Sequence, residues 1–418
     1  MFSNIFKRAY IFPGLIALLV YLPSVVYIPI ETYLLFAFIP FFFKSIRNTL
    51  KEFWKKKATY IKDRSVLLIL FILFLSFINI IIFNIKNEVN LLNIYGPYIL
   101  FPLLIFAAFL FANKISIKFY IVFVFLETLV GIAEWFYGAS SFFTGIENYW
   151  EFTSYRLLYF TRVLGLSPGS SLFAIKIMLG IILIDYLKLK SKLFTIIKLF
   201  LFVGIVLTFG RTILVCLFIY LPLQFLFNIY FKKHKSDRSL FWNQTIFFLA
   251  FFAFCFINPK EFQIQFSRGG MKEVGGRVEI NDNSLKNKGT VKTKEVDNFI
   301  LEEMGTNNIE LSGRSEIWSV FLSFIMKNPI FGNGSKTLYL GKKYHAHNSI
   351  IQIIANNGVI IAFLYFLLIC FNLNKQNWFF IGAILLLALG QYVIFWGMSV
   401  IDIIFYALLM FSKKINES

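Results

Sequence analysis

Apolar residues along this 418-residue chain gather into long unbroken runs instead of alternating with polar positions. A helix needs roughly 20 such residues to cross the ~30 Å hydrocarbon layer of a bilayer. Runs of about that kind predict membrane helices over residues 10–28, 30–43, 65–85, 92–112, 118–137, 168–187, 193–209, 211–231, 240–258, 348–371, 378–394 and 397–411. The expected fold class is therefore an all-α polytopic membrane protein of about 12 transmembrane helices. Pro13, Pro23 and Pro29 interrupt the first pair, and only Gly390 and Gly397 punctuate the last.

Charge orients this array. Lys and Arg number 41 against 22 Asp and Glu, a net charge of +19. The cations concentrate in alternate connections: residues 44–64, Lys114 and Lys118, Lys188 to Lys192, Lys232 to Arg238, Lys375, and Lys413 with Lys414. Cytoplasmic loops carry such an excess, so both termini are expected in the cytoplasm. No basic segment forms a soluble module, which excludes nucleic acid as the partner. Lys7 and Arg8 precede the first run as in a signal peptide, but no small-residue cleavage site follows, and an uncleaved first helix is expected.

Two outside segments are longer than connectors need to be. One spans 138–167 and the larger spans 259–347, both with charges of mixed sign. They divide the chain into an N-terminal bundle of about nine helices (1–258), a large periplasmic loop (259–347) and C-terminal membrane helices (348–418). Within the large loop, residues 312–328 form an expected amphipathic helix, with Ile317, Val320, Phe321, Phe324 and Ile325 on one face. Pro329 ends it. A composition that is 58% hydrophobic, with 55 Phe, leaves no room for a water-soluble reading. Cys216, Cys255 and Cys370 all lie in apolar runs, so neither a disulfide framework nor a zinc site is expected.

Ionisable residues inside membrane helices are costly and become functional candidates. Glu127 and Glu134 lie seven apart in one run, and Lys176, Lys198 and Asp402 occupy others. Interhelical pairing, such as a glutamate with Lys176, and a substrate-binding role for Glu127 are both open. Arg211, in Thr208-Phe-Gly-Arg-Thr212, stands at an outside turn, where a guanidinium can either reach lipid headgroups or grip a phosphate with two parallel hydrogen bonds. The large loop supplies Ser312-Gly-Arg-Ser-Glu-Ile-Trp318, Asn328-Pro-Ile-Phe-Gly-Asn-Gly334 and His345-Ala-His-Asn-Ser349. A neutral imidazole at His347 suits removal of a proton from a sugar hydroxyl. His345 and His347 lack a third candidate ligand, so no metal is expected.

Taken in order, these segments resemble the O-antigen ligase and polymerase superfamily. The resemblance rests on Gly313-Arg314 with Trp318, on Asn328-Pro329 with Gly332 and Gly334, and on His347-Asn348 with Gly358. It extends to Arg162-Val-Leu-Gly165 with Pro168, and to Arg211 before Thr212. One departure is Ile361, where ligases often show a second glycine. The resemblance implies a membrane glycosyltransferase that takes an undecaprenyl-diphosphate-linked glycan at the periplasmic face, without cofactor or metal. Arg211 and Arg314 become the implied diphosphate ligands and His347 the base; Asn348 orients it, and Arg162 and Trp318 meet substrate. A polymerase extending a lipid-linked repeat unit is the leading expectation, with a chain-length regulator and other polysaccharide-assembly proteins among its partners. A ligase acting on lipid A–core or a protein hydroxyl comes second. A flippase is a third reading, weakened by the ordered loop motifs and the lack of repeat symmetry.

Overall fold

The structure is a computed structural model that describes residues 8–25, 47–48, 51, 63–86, 101–137, 163–167, 169–208, 210–231, 235–257, 314–333, 345–391, 393–395 and 399–417. The expected helix over 30–43, Arg162, and most of the segments 138–167 and 259–347 lie outside the described residues. Those described are helical with connecting turns, and no strand occurs among them.

The apolar runs become helices close to where the pattern places them. In chain order they are α1 (Arg8–Tyr21), α2 (Asp63–Lys86), α3 (Phe101–Phe111), α4 (Lys114–Tyr137), α5 (Ser170–Tyr186), α6 (Lys192–Leu207), α7 (Arg211–Phe231) and α8 (Lys235–Ile257). After the large loop come α9 (Arg314–Lys327), α10 (Ser349–Asn372), α11 (Trp378–Gly390), α12 (Val400–Met410) and α13 (Ser412–Glu417). Pro13 stands inside α1 without ending it, and Pro23 falls in a 3₁₀ turn at Leu22–Ser24. The final run splits earlier and wider than expected: α11 stops at Gly390, and α12 begins at Val400, where Ser399 caps it by accepting from Asp402 N–H at 3.0 Å.

Two helical stretches, Lys114–Ala133 and Ser349–Asn372, are long and apolar enough to cross a membrane by length and composition. Large apolar side chains also point outward in rows. Leu67, Leu70, Phe71, Phe74 and Phe77 on α2, and Val359, Ile360, Phe363 and Phe366 on α10, are all exposed. Contiguous exposed apolar surface of this kind suits lipid contact and is rare on soluble monomers.

Hydrogen bonds define two ends of the bundle. At one end, Asn377 Nδ2 donates to the carbonyls of Asn372, Leu408 and Leu409 at 3.0–3.1 Å, joining the end of α10 to the end of α12. Asn374 donates to Ser412 at 3.0 Å, and Lys114 Nζ to the Asn416 carbonyl at 2.9 Å. The turns carrying Lys114, Lys375, Lys413 and Lys414 therefore share one end. The described residues of the motifs around His347 and Trp318 gather at the other.

Candidate functional site

His347 sits where the chain enters α10, in a backbone conformation uncommon for a side chain with a Cβ, φ +49°. Such a conformation persists only where neighbours fix it. Trp318 Nε1 donates to the Ala346 carbonyl at 2.7 Å, and Ala346 N–H donates to Gln352 Oε1 at 2.7 Å. Directly after it, Asn348 Oδ1 accepts from Ile350 and Ile351 N–H at 2.9 and 3.0 Å, the N-cap of α10. Asn348 Nδ2 donates to the Leu389 carbonyl at 3.0 Å. The His347 Nδ1 lies 3.3 Å from Gln391 Oε1, and the His345 ring meets the His347 ring edge-on at 4.1 Å between centroids. Burial pushes the His345 imidazole below the usual histidine range, so it is neutral at pH 7.

The C-terminus of α11 is fastened to the same point through its main chain. Ser349 Oγ donates to the Gln391 carbonyl at 3.2 Å and accepts from Val393 N–H at 2.9 Å and Ile394 N–H at 3.2 Å. Gln391 carries no signal in the sequence, and Ser349 enters there only as the last residue of the His345–Ser349 stretch. Nothing local marks them, since their partners lie more than 40 positions away in the chain.

The other predicted residues approach through their elements. Arg314 opens α9 one turn before Trp318, so the Ala346–Trp318 bond brings the start of α9 beside His347. Arg211 opens α7, and Thr212 next to it packs so closely on Gly390 that a Cβ there would collide with its methyl. Gly390 adjoins Gln391, the partner of His347. Gly210 in turn lies against Ala174 of α5, while Phe173 beside it faces Gly165. Val163, adjacent to Arg162, donates its N–H to the Leu207 carbonyl at 3.3 Å. A chain of contacts thus joins the neighbours of Arg162, Arg211 and Arg314 to His347 at one end of the bundle.

Glu127 is placed differently, on α4 and without solvent exposure. Lys176 Nζ of α5 lies 2.7 Å from its Oε2 and 2.8 Å from its Oε1. Tyr21 donates to Oε2, and Ser167 Oγ and Leu166 N–H donate to Oε1 at 2.7 and 3.1 Å. The pairing of a glutamate with Lys176 is therefore present. The carboxylate also fixes the short segment that follows Arg162. Lys198 pairs with Asp185 at 2.7 Å towards the opposite end, and Asp402 accepts from Phe395 N–H and from Ser399. Among the described residues no group of three or more His, Cys, Asp or Glu could hold a metal ion.

Behind the histidines, the predicted Asn-Pro-x-x-Gly stretch docks on α10. Gly332, at φ +74°, and Gly358, at φ +80°, meet backbone to backbone, and Val359 N–H donates to the Pro329 carbonyl at 2.8 Å. Asn333 N–H donates to the Ala355 carbonyl at 2.8 Å. Asn79 of α2 closes the joint by donating to the Phe331 carbonyl at 2.9 Å. Ile361 is buried in the apolar core one turn beyond.

Neither curated proteins nor solved structures gave a match to this chain. The family model described as O-antigen ligase matches residues 157–367, a stretch that begins just before Arg162 and contains Arg211, Arg314, Trp318 and His347. Matched over half its length by that model, the chain belongs to the O-antigen ligase and polymerase superfamily.

Proposed function

We propose that this protein is a membrane glycosyltransferase that moves a glycan from a polyprenyl diphosphate to an acceptor hydroxyl at the outer face of the bacterial inner membrane. Members of the family are membrane glycosyltransferase-like enzymes of lipopolysaccharide biosynthesis, which supports the reaction class. The observation that carries the reading is the chain of contacts that brings the neighbours of three arginines to the strained, braced His347. Arg211 and Arg314 hold the diphosphate leaving group, whose negative charge grows as the glycosidic bond breaks, so fixed guanidiniums stabilise the transition state more than the ground state. His347 removes the acceptor proton, and Asn348 positions it by capping α10. Arg162 binds donor sugar or phosphate, and the indole of Trp318 presents its face to substrate while its N–H holds Ala346.

Glu127 enters this scheme as a positioning residue. Its bonds to Leu166 and Ser167 set the segment carrying Arg162, and its contact with substrate is indirect. The acceptor is the non-reducing end of the next lipid-linked repeat unit, making the enzyme a polysaccharide polymerase. Ile361 in place of the second ligase glycine supports this choice, as does the close match of residues 328–334 to the family's stretch. Transfer to lipid A–core, the ligase reaction, is the second reading, favoured by the description of the matching family. The helices cross the membrane about 12 times, both termini lie in the cytoplasm, and a chain-length regulator cooperates with the polymerase.

Lipopolysaccharide from a host deleted for the gene, resolved on a gel with and without wild-type and His347→Ala protein, tests the proposal. Core bearing a single repeat unit without a ladder is the expected result, restored by wild type and not by His347→Ala. Bare core with polymer accumulating on the lipid carrier assigns the ligase reaction instead. An unchanged ladder in the deletion host overturns both.

A further inference from the structure

We infer that Gln391 is a positioning residue that fixes the ring orientation and tautomer of His347, a role that rests on His347 acting as the acceptor base. A histidine base needs one ring nitrogen deprotonated and aimed at its target, and the hydrogen bond on the other nitrogen decides which one it is. The Gln391 side chain provides that bond: its Oε1 lies 3.3 Å from His347 Nδ1. A carbonyl oxygen only accepts, so Nδ1 carries the proton and the lone pair resides on Nε2.

The placement of this amide is over-determined. Gln391 is the C-cap of α11, with its N–H donating to the Leu387 carbonyl at 2.9 Å. Its own carbonyl accepts from Ser349 Oγ at 3.2 Å, and Asn348 Nδ2 holds the neighbouring Leu389 carbonyl at 3.0 Å. His347, Asn348 and Ser349 thus each bond to the last turn of α11 or just past it. Three consecutive residues from the start of one helix grip the end of another, and only the His347 bond uses the Gln391 side chain. The other two use main chain on α11, so they survive a substitution at position 391.

The amide is neutral, which matters for the base. A carboxylate at this position would favour the imidazolium and raise the pH at which His347 can accept a proton. Other charged or histidine residues on the elements that meet here are His345 on the same segment, Arg211 at the start of α7, Arg314, Glu316 and Lys327 on α9, and Asp402 on α12. His345 is buried and neutral at pH 7, and Asp402 is engaged by Ser399 and Phe395. The arginines do not titrate below pH 12.

The test uses the full chain in lipid nanodiscs, with lipid-linked repeat units extracted from the gene-deletion host as substrate. Gln391→Glu keeps the shape of the side chain and is expected to shift the acidic limb of the kcat/KM profile to higher pH. Gln391→Leu removes the acceptor and is expected to lower kcat by about 10- to 100-fold, as loss of an orienting partner does, with little change in KM. His347→Ala serves as the reference. If it is inactive while both Gln391 variants keep wild-type kcat and the wild-type acidic limb, the role of Gln391 is overturned and the base assignment stands. If His347→Ala turns over like wild type, the base assignment itself fails and the role of Gln391 falls with it.

Discussion

Glu127 and Lys176 place two full charges in the apolar interior, with neither side chain exposed. An isolated charge there is untenable, and each is tolerated because the other, with Tyr21, Ser24, Ser167 and the Leu166 N–H, satisfies it. Removing one partner is far worse than removing both. Lys176→Met should lower stability by about 3–5 kcal/mol, since it strands a buried carboxylate. The double variant Glu127→Gln with Lys176→Met should recover most of that loss. Thermal unfolding midpoints of the detergent-solubilised proteins check this, and a single variant as stable as wild type would sink the account. Both charges stood out in the sequence as residues inside apolar runs. Their pairing was only one of two open readings, because periodicity fixes the face of a helix and not the helix that faces it. Ser167 and Leu166, which complete the cluster, carry no such signal: a serine and a backbone amide beside Pro168 look like any loop.

At the scale of elements, the helices were legible because burial in lipid demands long apolar runs, and most boundaries among the described residues fell within about five residues of the pattern, the end of α1, the start of α3 and the split between α11 and α12 excepted. The amphipathic helix predicted over 312–328 is found as Arg314–Lys327, with Ile317, Phe321 and Ile325 packed around Ala346 and Ala355. What the motif could not reveal is why its glycines are there. Gly332 and Gly358 both adopt positive φ, and a Cβ on Gly358 would strike the Ile330 carbonyl. The two backbones touch, which locks the segment after α9 onto α10 and so holds Trp318 against Ala346. Gly358→Ala should therefore prevent correct docking: loss of monodisperse protein on size exclusion, or folded protein without transfer activity. Gly382→Ala on α11 is the matched control, because nothing lies within 4 Å of the added Cβ. Relief of backbone entropy should leave that variant equal to wild type or more stable by up to about 1 kcal/mol. Equal behaviour of the two variants would refute the steric account of Gly358.

Across the whole molecule, the three C-terminal helices connect the motif end to the lysine-bearing end by a route that fixes their relative sides. From His347, α10 runs 24 residues to Asn372, broken at Gly358 where the backbone leaves helical geometry, and by length and composition it is enough to cross a membrane. The chain then turns, and α11 returns until Gln391 reaches His347. Next, α12 leads away again until Leu408 and Leu409 meet Asn377 beside that turn. Three passages leave the C-terminus opposite His347, although α11 and α12, with 13 and 11 residues, are individually shorter than a full span. The excess of lysine at the far end, Lys375, Lys413 and Lys414 with Lys114, supports the proposed cytoplasmic side for that end. Fluorescent protein fused after Glu417 should accordingly fold and fluoresce, because it matures in the cytoplasm. Alkaline phosphatase fused after Val296, within the large loop, should be active, because it requires export. Active phosphatase at both positions would mean an even number of passages between them. One of α10, α11 and α12 would then lie on the membrane instead of through it, against the route traced by the bonds from His347 to Gln391 and from Asn377 to Leu408 and Leu409.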